Sequence, residues 1–130
     1  MQNSDKKEIQ NIDELETVLY AGNLLLSSGA EIYRAEETMH RIADAMHIKD
    51  LDAYVTNRGI FASGNVPGKG IESRIMSVPD KELNIDKIEA VNELSREVCS
   101  NCMDLSYLRT SLHKIADMGE QNVGEKILSY

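Results

Sequence analysis

The sequence predicts an α+β domain of order ααβββαα, a small three-stranded antiparallel sheet covered on one face by about four helices. Three observations carry this. Apolar residues recur at spacings of three and four near both ends of the chain, the mark of helices that bury one stripe. Between Leu51 and Val78 the period shortens to runs rich in β-branched and aromatic residues. Asn65-Val66-Pro67-Gly68-Lys69-Gly70 interrupts those runs with the strongest breaker in the chain. With 130 residues, the chain suits one core rather than two.

The first helix is read over Ile9 to Leu26, where Ile9, Ile12, Leu15, Leu19, Gly22 and Leu26 share a face. Ser28-x-x-Glu31 then has the form of a capping box: the serine oxygen takes an amide of the new helix and the glutamate reaches back. A second helix follows, with Ala35, Met39, Ile42, Ala43 and Met46 inward and Glu31, Arg34, Glu37, Arg41 and Asp44 outward. Leu51 to Thr56 and Gly59 to Ser63 form a hairpin around Asn57-Arg58, in which Asn57 tolerates the left-handed backbone of a tight turn. Ile71 to Val78 is a third strand, antiparallel to the second. Asn84 caps a helix with the stripe Ile85, Ile88, Val91, Leu94 or Ser95, and Val98, and Asp104 or Ser106 caps another with Leu105, Leu108, Leu112, Ile115 and Met118. Gly119 is expected to close that helix, leaving 119–130 as a linker or frayed helix after a single domain over 1–118.

Composition narrows the function. A formal charge of −8 and a sequence pI near 4.8 offer no clustered cations for phosphate backbones, which excludes nucleic acid as the expected partner. The longest apolar run, Val18 to Leu26, is broken by Gly22 and Asn23 and falls well short of the roughly 20 residues of a membrane span. The N-terminal residues lack the apolar segment of a secretory signal, so the expected location is the cytosol. There Cys99 and Cys102 are expected as reduced thiols. Their CxxC spacing suits metal or redox chemistry, but no second CxxC exists and His113 adds only a third ligand where structural zinc is tetrahedral. A packed pair of free thiols is the reading taken, and no motif calls for a metal or cofactor.

The segment joining the first two helices, residues 24–39, is the densest in chemistry. Ser28, Glu31, Arg34 and Glu36 bring hydroxyl, carboxylate and guanidinium groups to one helix start, a set suited to a zwitterionic amino acid or an acid. The same residues also have a purely structural account, in the capping box and in Glu31–Arg34 and Glu37–Arg41 pairs one turn apart, worth about 0.2–0.5 kcal/mol each. Adjacent Glu36 and Glu37 point about 100° apart and do not form an acid/base pair. No Gly-x-Ser-x-Gly elbow is present, and whether Ser28, Thr56 or Ser63 approaches His40, His47 or His113 is a question for the tertiary structure.

The block Ser28-Gly29-Ala30-Glu31-x-x-Arg34-x-Glu36-x-Thr38, followed by Val55-Thr56-x-x-Gly59-Ile60-x-x-Ser63, the Val78-Pro79-Asp80 turn and the helix from Asn84 to Arg96, resembles the soluble N-terminal domain of the threonine/serine exporter family. The likeness runs from about Leu15 to Met118. It implies a cytosolic domain attached to transmembrane helices, in the same chain or a separate subunit, of a transporter that exports threonine and serine or, in two-component relatives, a dicarboxylate. It makes Ser28, Glu31, Arg34, Glu36, Thr56 and Ser63 the candidate substrate-binding residues, with a sensing, gating or assembly role and homo-oligomerisation open. Two departures stand out: Asn57-Arg58 replaces the family's frequent Pro-Thr, and His47 occupies the place of a helix-ending Gly. A hydrolase-like enzyme and a purely structural oligomerisation module are the alternatives.

Overall fold

The computed structural model describes residues 13–101 and 104–128. Its elements are α1 (Glu14–Ser27), α2 (Ile32–Ala45), β1 (Lys49–Val55), β2 (Gly59–Val66), β3 (Gly70–Ser77), α3 (Ile85–Asn101) and α4 (Leu105–Leu128). The order is ααβββαα, as the periodicities predict. The strands form one antiparallel sheet in the order β1-β2-β3.

Helix α1 is the centre of the molecule rather than a helix with one buried stripe. Leu15, Val18, Leu19, Ala21, Leu24, Leu25 and Leu26 are all buried, because α1 packs against α2, β2, β3, α3 and α4. A helix apolar on nearly every side is stable only when enclosed. At its N-cap, the Asp13 carboxylate accepts the Glu16 amide at 3.0 Å, and Ile9 and Ile12 lie outside the described residues.

On β2, Ile60, Ala62, Gly64 and Val66 face the helices while Phe61, Ser63 and Asn65 face away. The helices therefore cover one face, and the core is aliphatic, with Leu19, Met39, Ile42, Ile60, Leu108 and Leu112 fully enclosed. Each such side chain contributes about 1.5–3 kcal/mol of transfer free energy. Gly22 lets α2 and β2 close onto α1, since an added Cβ would stand 2.5 Å from Met39 Sδ and 3.3 Å from Ile60 Cδ1.

The ends of the later helices follow their predicted caps. Asn84 Oδ1 accepts the Lys87 amide at 3.1 Å, and Asp104 rather than Ser106 caps α4, accepting the Tyr107 amide at 2.7 Å. Ile85, expected on the buried stripe of α3, is exposed, since burial begins one turn later with half-buried Ile88. Helix α4 continues through Gly119 to Leu128. An interior glycine weakens a helix by about 1 kcal/mol but ends it only when it adopts the left-handed conformation.

Candidate functional site

The elbow between α1 and α2 is built differently from the capping box read in the sequence. Ser28 is the C-cap of α1, buried to 2% exposure. The Gly29 amide donates to Leu26 O at 3.1 Å and the Ala30 amide to Leu25 O at 2.9 Å, with Gly29 left-handed at φ 97°. This pair of bonds is a Schellman motif. The reversal takes only three residues, so Ser28 is consumed in ending α1. Glu31 supplies the extended N-cap backbone of α2, and its side chain makes no cap bond.

The same device ends α2. The His47 amide donates to Asp44 O at 3.0 Å and the Ile48 amide to Ala43 O at 2.9 Å, with His47 itself left-handed at φ 62°. The residue at the place of a helix-ending glycine thus adopts the glycine conformation.

The hairpin between β1 and β2 is closed by Thr56. Its Oγ1 accepts the amides of Arg58 at 3.2 Å and Gly59 at 3.1 Å, which leaves the hydroxyl proton for Gly59 O at 3.1 Å. Asn57 is not left-handed as the sequence suggested, because the threonine side chain does the work of the turn. Its amide oxygen instead accepts Lys81 Nζ at 2.9 Å.

A strap of residues 78–84 connects these two features. The Val78 amide donates to Arg58 O at 2.9 Å, the Glu82 amide to Ser27 O at 2.9 Å, and the Asn84 amide to Ser28 O at 3.0 Å. Leu83 lies over Gly29. The elbow, the hairpin turn, the Val78-Pro79-Asp80 turn and the start of α3 therefore meet at one end of the molecule, although they are far apart in the chain.

At that end Glu31 and Arg34 are exposed. They do not form the expected ion pair among the described residues; the Arg34 pKa is raised mainly by its neighbour Tyr33 and then by Glu31 and Glu37. The predicted Glu37–Arg41 pair is present at 3.1 Å. Arg34 continues a stripe along α2 that meets α3: Thr38 Oγ1 donates to Asn92 Oδ1 at 3.2 Å and Arg41 Nη1 to Ser95 Oγ at 3.0 Å. These contacts advance together, so α2 and α3 run side by side in the same direction. Glu36 is half-buried and stands about 200° round the helix from Arg34. Ser63 lies on the open face of the sheet, midway along β2, opposite Asp52 and Ser73. The structure thus gathers Ser28, Glu31, Arg34 and Thr56 at one end and leaves Glu36 and Ser63 on other surfaces. The participants missed by sequence reasoning are Lys81, Glu82 and Leu83 of the strap, whose only signal was their place just after the Pro79-Asp80 turn.

Among the described residues no Ser or Thr hydroxyl bonds a histidine; His113 Nδ1 meets Tyr20 Oη at 3.2 Å instead. Nor does any group of three or more His, Cys, Asp or Glu gather there as a metal site. Cys99 is exposed rather than packed, its thiol donating to Arg41 O at 3.4 Å, and Cys102 lies outside the described residues.

A family model for threonine/serine exporters, ThrE, matches residues 16–123. The chain belongs to the threonine/serine exporter family. The match takes in every segment that meets at the strap end. No curated protein and no solved structure matches the chain. No helix of the exporter-family fold, among the described residues, is long and apolar enough to cross a membrane.

Proposed function

We propose that the chain is the cytosolic domain of an integral membrane exporter of threonine and serine or of a dicarboxylate, and that it senses substrate and gates the attached membrane part. The observation that carries this reading is the convergence of the elbow, the hairpin and the strap on one end, where two opposite charges, Glu31 and Arg34, stand in solvent beside a backbone already hydrogen-bonded to itself. Arg34 offers two donors to a carboxylate, the geometry that makes guanidinium the preferred partner of that group. Glu31 accepts the ammonium of an amino acid. Ser28 sets the angle between α1 and α2 through its backbone, and a ligand clasped at the start of α2 changes the relative stability of the arrangements that elbow can take. Glu36 and Ser63 lie outside this clasp.

Calorimetric titration with threonine, serine and succinate, repeated on Arg34→Ala, tests the reading. Saturable binding that Arg34→Ala abolishes identifies the substrate class. Absence of binding at millimolar ligand, together with unchanged export by Arg34→Ala and Glu31→Ala in cells, removes the sensing role.

A further inference from the structure

The two edges of the sheet are unlike. Edge β1 is broken by a register shift between Lys49 and Asp52, with Asp50 left-handed at φ 55°. Bulges and charges of this kind keep a sheet edge from pairing with another chain. Edge β3 carries no such protection. All eight of its residues pair in unbroken register with β2, and it contains no proline. Two of its residues, Ile71 and Ile75, are each 80% exposed. Long, regular, apolar edges are the ones that recruit a further strand.

The sequence of β3 says which strand fits. Ile71-Glu72-Ser73-Arg74-Ile75 reads as its own complement when laid antiparallel on itself. With a two-fold axis at Ser73, Ile71 of one copy faces Ile75 of the other, Glu72 faces Arg74, and Ser73 faces Ser73. Directly opposed positions of an antiparallel pair share a face and bring their side chains together. Each apolar residue thereby meets an apolar one and each charge its opposite, twice over, as an isologous contact requires. A shift of one residue would set Ile71 against Arg74 and destroy the match. Within one copy the Glu72 carboxylate is left under-used: Oε2 lies 3.4 Å from Arg74 Nη2, while Oε1 is shielded from solvent with no hydrogen-bond partner among the described residues.

We infer that a second copy of this chain pairs antiparallel with β3 about Ser73, joining two three-stranded sheets into one of six strands. The row Tyr54–Phe61–Ile75 on the open face then continues across the junction to Ile71 of the other copy. Neither the proposed clasp at Arg34 nor its ligand is needed for this contact, so its test is separate from that of the sensing role.

Cysteine pairing reads the register directly. In full-length protein carrying Cys99→Ser and Cys102→Ser, Ser73→Cys is expected to give a disulfide-linked dimer under mild oxidation, because opposed residues lie about 4.5–5.5 Å apart at Cα, within disulfide reach. Ile71→Cys and Ile75→Cys should each stay monomeric alone and link when mixed. Sedimentation of the natural chain should show a monomer–dimer equilibrium weakened roughly tenfold or more by Ile75→Lys, a residue type that guards sheet edges, and not by Thr110→Lys, the same charge change on exposed α4. A monomer at all concentrations, a dimer indifferent to Ile75→Lys, or linkage of Ile71→Cys with itself overturns the proposal.

Discussion

Leu83 occupies the space into which a side chain on Gly29 would grow: an added Cβ would stand 2.9 Å from Leu83 Cδ1, at a residue whose φ is 97°. Close approach and left-handed backbone make glycine necessary for two independent reasons. Gly29→Ala is expected to cost roughly 1–2 kcal/mol from the backbone alone, with a further loss from displacing Leu83. Urea titration of Gly29→Ala, Leu83→Ala and the double variant separates the two, since Leu83→Ala relieves the contact and leaves the backbone strain. Exactly additive costs would show that the strap does not press on the elbow.

His47 is left-handed at the end of α2 and its side chain is exposed. His47→Gly therefore removes strain without removing packing. Allowing for glycine's greater freedom in the unfolded chain, a net gain of about 1 kcal/mol is expected. Thermal unfolding should show a rise in Tm of a few degrees, whereas His47→Ala should show none.

Gly22→Ala places a methyl group 2.5 Å from Met39 Sδ, between α1 and α2. The thioether can swing aside only into a filled core, so a loss of roughly 1–3 kcal/mol is expected. Met39→Ala in the same background should recover part of it in chemical denaturation, despite the cavity that change makes elsewhere.

Asp13 couples the start of α1 to the sheet, taking the Glu16 amide at 3.0 Å and Arg74 Nε at 2.7 Å. Burial pushes its pKa up, but the Glu16 amide, Arg74 and Lys69 outweigh burial and hold it below the ordinary carboxylate value. A carboxyl depressed in the folded state contributes stability above its unfolded pKa of about 3.9, and that contribution is lost as pH falls through the folded value. Asp13→Asn keeps an acceptor for the cap and removes the charge. It should lower stability near neutrality by about 1 kcal/mol and flatten the fall below about pH 4, measured by denaturation across pH 2–7.

Arg34 is fully exposed and makes no ion pair among the described residues. Arg34→Ala should leave the unfolding midpoint within about 0.5 kcal/mol of the natural chain. Loss of threonine or serine binding with that stability intact would locate the effect in the site. A stability loss of several kcal/mol would mean that Arg34 serves the fold.

The sequence by itself determined the element order, the antiparallel meander and most of the core, because period, breakers and caps are local. Asn84 and Asp104 could be read as caps for that reason, and the segments that mark the family could be read in order along the chain. Only the tertiary structure decided that α1 is enclosed on nearly every side, since its apolar residues outnumber one stripe but do not say how many neighbours surround it. The elbow was misread because Ser-x-x-Glu satisfies the rule for starting a helix, while Gly29, free to turn left-handed, satisfies the rule for ending one. The buried carbonyls of Ser27 and Ser28 settle which holds, since the strap takes them through its backbone and backbone pairing leaves no mark in side-chain identity. For the same reason the separation of Ser63 from Arg34 had to await the fold: which face of a sheet a residue occupies relative to a distant helix is fixed by packing, not by spacing along the chain.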